Sequence, residues 1–248
     1  MTILTILGHP DDEYFFASRI AFERARGHRI ICVFLTDGTA YGVSPKVREN
    51  ESRRALAELG LANEDLHFLG IKDSESYTLL EELYTRVKEI ADRTSISSIF
   101  VLAWEGGHVD HDAAHLIGIA LARSLGILDS LFEFAGYNGY GVPGKLFRVF
   151  RMIPNRLPVR RRRLSIREAV RSFLLFRWYR SQLKSFIGLM PDSFYRIVLR
   201  RGEEMRPVAN IDYRLPPHPG ALLYERRFGV AFSKFRQAAG PFIEKFIL

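Results

Sequence analysis

"LGHPDDEYFFA" occupies residues 7 to 17, directly after the apolar opening MTILTI. A hydrophobic run that ends in a histidine, a proline and three acids reads as a buried strand breaking into a helix start. Pro10 biases His9 toward extended backbone. Asp11 and Asp12 then fall in the first turn of the following element, where the helix dipole favours negative charge. Acids this close repel one another unless a helix N-terminus, a bound cation or solvent compensates them. In the plainer interpretation Asp11 caps a helix, Asp12 and Glu13 are first-turn acids, and His9 is incidental. The alternative is that the strand end gathers these groups for chemistry.

The pattern outward from this stretch is regular through the first half of the chain. Short apolar runs at 3–7, 29–35, 66–69, 96–103 and 131–136 are rich in Ile, Val, Leu and Phe, as strands covered on both faces should be. Helical segments are predicted between them at 12–26, 46–60, 77–94 and 111–125. Val47, Ala55, Leu56 and Leu59 form an apolar stripe in the second, and Gly60 supplies its stop. Strand–helix alternation of this kind predicts an α/β fold with a parallel sheet and right-handed crossovers. In open sheets of that type ligands bind at the carboxyl edge, where His9 would sit.

A second constellation follows the fourth strand. "AWEGGHVDHDAAH" holds His108, Asp110, His111, Asp112 and His115, and the alternation places it on the same edge as His9. Imidazole nitrogen and carboxylate oxygen are the donors a catalytic zinc takes, with a position left for water. A capped helix start with solvated histidines would explain one such cluster; two clusters on one edge favour a metal site.

These residues resemble the LmbE-like, or PIG-L, family of metal-dependent N-acetylglucosaminyl deacetylases. The resemblance rests on HPDDE after the first strand and on an HxDH pattern after a later one. It extends to "RENESRRALAELG", with Arg48, Glu51, Ala55, Leu59 and Gly60 in register, to "LTDG" at 35–38, and thinly to "YRSQL" at 179–183. It implies a Rossmann-like fold and removal of an acyl group from an amino-sugar conjugate. It also implies His9, Asp12 and His111 as ligands of Zn²⁺ or another divalent ion, Asp11 as general base, and Arg48 as a substrate-binding residue. The equally weighted alternative for Arg48 is a helix-face salt bridge. Asp110 is expected to orient a histidine, and His108, if protonated, to stabilise an oxyanion or act as acid. The chain departs from the family pattern at Gly8 (usually Ala), Val109 (often Pro), Gly106 (Tyr in some members) and Tyr179 (often His).

Beyond residue 145 the pattern weakens. Lys145 to Arg201 contains many arginines, including the run Arg160–Arg163, and only Glu168 and Asp192 as acids; the whole chain carries a net charge of +8. Residues 136–144 read as a turn-rich connection, and the arginine run as an exposed loop. Residues 166–187 read as helix, and 224–246 as two helical pieces broken at Gly240–Pro241. One domain is expected, with 1–145 as the sheet core and 146–248 as a basic elaboration. The excess of arginine suggests contact with an anionic lipid or glycan around Arg160–Arg163. Nucleic-acid binding has no accompanying motif. A metallo-amidohydrolase acting on a non-sugar amide is the alternative enzyme. Cys32 is the only cysteine, and the start lacks a leader pattern, so a cytoplasmic protein, peripheral at a membrane if the basic segment touches one, is expected.

Overall fold

The computed structural model describes residues 1–39, 42–155, 157–208 and 210–248. Arg156 of the basic segment lies outside them. Five parallel strands, β1 (Thr2–Leu7), β2 (Arg29–Thr36), β3 (Leu66–Ile71), β4 (Ser98–Leu102) and β5 (Leu131–Phe134), stand in the spatial order β3-β2-β1-β4-β5. All five match the apolar runs of the sequence. Their side chains are almost wholly buried in β1, β2 and β4, because helices cover both faces.

Helices α1 (Ala17–Ala25) and α2 (Pro45–Glu58) belong to one face, and α3 (Leu80–Ala91) and α4 (Val109–Ser124) to the other. The core is accordingly split by the sheet. Leu7, Phe16, Ile20, Phe34 and Leu56 pack on the first side; Leu4, Ile6, Val33, Leu83 and Ile117 pack on the second. Helix α4 is buried from Val109 to Ala122. Its small residues permit this: a Cβ on Gly118 would lie 2.4 Å from Val101 Cγ1, so only glycine lets the helix approach β4 so closely.

The C-terminal part departs from its sequence reading in three places. Arg160–Arg163 is a strand, β8, and not a loop; β6 (Tyr137–Asn138) and β7 (Arg148–Val149) form a small hairpin before it. β8 pairs antiparallel with β9 (Gly202–Pro207), which pairs antiparallel with β5 and so extends the main sheet. Cross-strand attraction explains the strand: Arg161 pairs with Glu204, Arg162 with Glu203 and Glu168, and the Arg160 guanidinium covers the Phe132 ring. The helix expected over 166–187 is broken. It consists of α5 (Ile166–Leu174), two short 3₁₀ turns around Tyr179, and α6 (Leu183–Ser193), which runs on into a π-helical turn at Phe194–Leu199. Finally, α7 (Leu223–Phe228) ends at Gly229, whose left-handed φ of 71° stops it, and α8 (Phe232–Phe246) continues through Gly240 and Pro241. No helix among the described residues is long and apolar enough to cross a membrane.

Candidate metal centre and active site

The carboxyl ends of β1 to β4 converge where the strand order reverses between β1 and β4. His9, Asp11 and Asp12 follow β1; Gly38 and Arg48 follow β2; Asp73, Ser74 and Ser76 follow β3; His108, Asp110 and His111 follow β4. The two sequence constellations, about a hundred residues apart, are therefore in direct contact.

His9, Asp12 and His111 are all buried, and each offers a donor atom within 4.8 Å of the other two. The His111 Nε2 lies 3.0 Å from Asp12 Oδ1, and the His9 Nδ1 lies 3.4 Å from Asp12 Oδ2. The other His9 nitrogen, Nε2, donates to Asp110 Oδ2 at 3.0 Å. Asp110 is itself fixed by the Ser74 N–H at 2.7 Å and by the N–H and hydroxyl of Ser76. A carboxylate held this firmly sets the orientation and tautomer of the imidazole, leaving Nδ1 toward Asp12.

Charge decides what this arrangement can hold. Asp12, Asp73 and Asp110 all lie within 4 Å of His9, and Asp11 is adjacent. Burial opposes a charged His9, yet these carboxylates outweigh it and raise its pKa well above the ordinary imidazole value. Burial likewise opposes ionisation of Asp12, but His111 and His9 hold its carboxyl well below the usual range. Arg48 is the one arginine or lysine in salt-bridge contact with these acids among the described residues. So many buried carboxylates need compensating positive charge. A divalent ion fits the donor set, which combines imidazole nitrogens and a carboxylate with open space on one side.

That space is a cleft of about 850 Å³ including its open mouth. Asp11 faces it. Its backbone is left-handed, with φ 117° and ψ −16°, a strained geometry for a non-glycine residue. Two contacts hold it there. Its N–H donates to Glu13 Oε2 at 2.9 Å, and Arg48 Nη2 lies 3.2 Å from its Oδ2. Glu13 is fully buried and accepts the Tyr179 hydroxyl at 2.9 Å, so Tyr179 buttresses the loop from behind. Burial pushes the Glu13 carboxyl up to about 7 and raises that of Asp11, the latter opposed by Arg48.

Arg48 is not on an exposed helix face. It is 3% exposed, and its Nε and Nη1 are buried without hydrogen-bond partners among the described residues. Gly38 makes room for it: φ there is +62°, and a Cβ would stand 2.8 Å from Arg48 Nη2. The glycine of LTDG is thus required by a neighbouring arginine as well as by the turn.

His108 is the N-cap of α4. Its Nδ1 accepts the Asp110 N–H at 3.3 Å, which leaves the proton on Nε2, and the ring lies in the cleft wall beside Phe228. Burial, reinforced by nearby His9 and His111, pushes its pKa down to about 4. Burial thus opposes the protonated His108 expected from the sequence, and its Nε2 lies 3.9 Å from Asp73 Oδ1, beyond hydrogen-bond distance.

Two residues of the histidine-rich stretch do not join the site. His115, one helical turn deeper, sits with Nδ1 2.8 Å from the Leu102 carbonyl oxygen, and Asp112 accepts the N–H groups of Glu105 and Gly106. Gly106 has φ +66°, and a Cβ there would lie 2.9 Å from Leu222, so a larger side chain there would be both strained and crowded. Asp73 was not foreseen. A lone acid in the polar turn KDSES carries no spacing signal; only its place just after β3, on the shared edge, could have marked it.

An open parallel sheet with a buried His/Asp donor set at its switch point defines an α/β protein suited to hold a divalent ion. The family model PIG-L, described as GlcNAc-PI de-N-acetylase, matches residues 4–122 of the chain. Among solved structures, the deacetylase–bog complex of the teicoplanin biosynthesis pathway superposes with a TM-score of 0.68. The identity is 17%, over 86% of this chain and 100% of that one. The zinc-inhibited form of teicoplanin deacetylase Orf2 gives 0.67 at 16% identity, over 86% and 100%. N,N'-diacetylchitobiose deacetylase from Pyrococcus horikoshii gives 0.57 at 18% identity, over 88% and 87%. At such identities the likeness is one of fold. No curated protein matches the chain by sequence.

Proposed function

We propose that this protein is a metal-dependent N-deacetylase that removes the acetyl group of an N-acetylglucosamine-type conjugate, with zinc as the resident ion. The observation that carries the proposal is the division of labour between adjacent acids. Asp12 joins His9 and His111 in a buried donor set, while Asp11 is turned by a strained backbone into the cleft. The family-model match over 4–122, and the deacetylases among proteins of the same fold, support an amino-sugar substrate.

A divalent ion held by His9, Asp12 and His111 supplies Lewis acidity toward the amide carbonyl and lowers the pKa of a water to about 7. Asp11 takes the proton of the attacking water on its carboxylate and passes it to the departing nitrogen as the amide C–N bond breaks. The products are acetate and a free amine. The neutral His108 donates its Nε2–H to the carbonyl oxygen as negative charge develops there. Arg48, in the cleft wall, meets the polar groups of the sugar while its Nη2 steadies Asp11.

The test is release of acetate and of a free amine from a panel of N-acetylglucosamine conjugates by the metal-loaded protein. Release of neither, with cleavage of a non-sugar amide instead, would retain the hydrolase and remove the sugar assignment. His108→Ala is expected to lower kcat about 10²–10³-fold with a smaller change in KM, because its hydrogen bond strengthens only as the oxyanion forms. A change confined to KM would mean that His108 only grips the ground state.

A further inference from the structure

The outer wall of the cleft carries a surface that hydrolysis does not use. Helix α6 presents Phe186 and Leu189 to the cleft, yet Leu183 and Ile187 on its other side are exposed, Ile187 by 69%. Helix α5 has an exposed apolar stripe at i, i+4 and i+8: Ile166, Val170 and Leu174. The two helices are joined at their ends by the rings of Phe173 and Phe194, 5.4 Å apart, and Phe194 is itself exposed. A soluble surface gains nothing from six such side chains in water; a patch of this kind marks a contact.

The unpaired charges on these helices are of one sign. Arg167, Arg180, Lys184 and Arg200 are exposed and make no salt bridge among the described residues. The two acids of this region are already engaged, Glu168 by Arg162 and Asp192 by Arg196. Free cations interleaved with aliphatic side chains are complementary to lipid phosphates above an acyl boundary. A second copy of the chain would bring cations against cations, and nucleic acid would leave the aliphatic stripe uncovered. The β8 arginines contribute less, since Arg161 and Arg162 are paired within the sheet.

We propose that the outer face of α5, α6 and the following π-helical turn docks on the surface of an anionic phospholipid bilayer, with its apolar side chains in the headgroup layer. This surface is independent of the reaction assigned above, and its test does not read hydrolysis.

The full-length protein is sedimented with vesicles of phosphatidylcholine alone and of phosphatidylcholine mixed with phosphatidylglycerol. Binding is expected to the mixed vesicles, to weaken as salt rises, and to be slight on phosphatidylcholine alone. Neutralising Arg167 and Lys184 (Arg167→Gln, Lys184→Gln) should lower partition about fivefold per charge, about 1 kcal/mol each. Leu174→Ser with Ile187→Ser should lower it by at least about tenfold at unchanged charge. These positions are exposed, so a thermal melt close to that of the parent is expected, and the lipid and salt dependence of the parent needs no variant. Absence of parental binding, or binding insensitive to the serine pair, overturns the proposal. So does a parental dimer, seen by sedimentation velocity, that the serine pair converts to monomer; the face would then belong to a second copy.

Discussion

Asp12→Ala is expected to leave the protein unable to retain a divalent ion, and to abolish amide hydrolysis as a consequence. Asp12 is the only carboxylate in the three-residue set with His9 and His111, and both of its oxygens face those imidazoles. Without it no carboxylate bridges the two histidines, and His9 keeps only the acids on its other nitrogen. Loss of a supporting group around a metal typically weakens binding about 10–100-fold, and loss of a ligand should exceed that. Elemental analysis of protein purified without chelator checks this, with metal uptake by dialysis as a second measure. A variant that retains a stoichiometric ion would remove Asp12 from the ligand set. Asp11→Ala is the matched comparison, since it deletes a neighbouring carboxylate that points elsewhere. Equal loss of metal from both variants would show that the two acids share the ion.

The core of the fold was legible because its determinants are local. Strands covered on both faces must be short apolar runs, and β1 to β5 are. The site was legible for a related reason. Each constellation lies at a strand end, and the order of a parallel sheet brings such ends together wherever they fall in the chain. The C-terminal part was less legible because its partners are distant and polar. Arg160–Arg163 resembles an exposed loop until Glu203 and Glu204 are set against it, and they lie about forty residues on, just past the segment whose acids seemed so few. The helix whose apolar spacing looked continuous breaks at Tyr179, which has non-helical backbone and whose hydroxyl donates to Glu13, 166 residues away in sequence. Arg48 could be read two ways from its helix position; the structure buries it beside Asp11. His115 lies in the same stretch, but its Nδ1 faces the carbonyl oxygen of Leu102 beneath the site.

Asp11→Ala should keep the ion and lower kcat by about 10²–10⁴-fold, the range a positioned general base contributes. The geometry sets its direction as well as its size. Asp11 is turned into the cleft by a left-handed backbone that Glu13 and Tyr179 hold from behind, so its carboxylate is aimed and has little freedom to swing away. Burial raises its pKa above the ordinary aspartate value, which makes the carboxylate a stronger acceptor, while Arg48 limits the rise. Asp11→Asn preserves the shape, removes the basic oxygen and should lose nearly as much rate. Because the attacking water and the departing amine both depend on this proton, KM should change less than kcat. The acidic limb of the kcat/KM profile, assigned to protonation of Asp11, should flatten in the asparagine variant's residual activity. Retention of kcat within a few-fold by Asp11→Asn, with metal bound, would assign the proton transfer to another group, and Asp73, 3.8 Å from His9 at the same cleft, would be the next residue to replace.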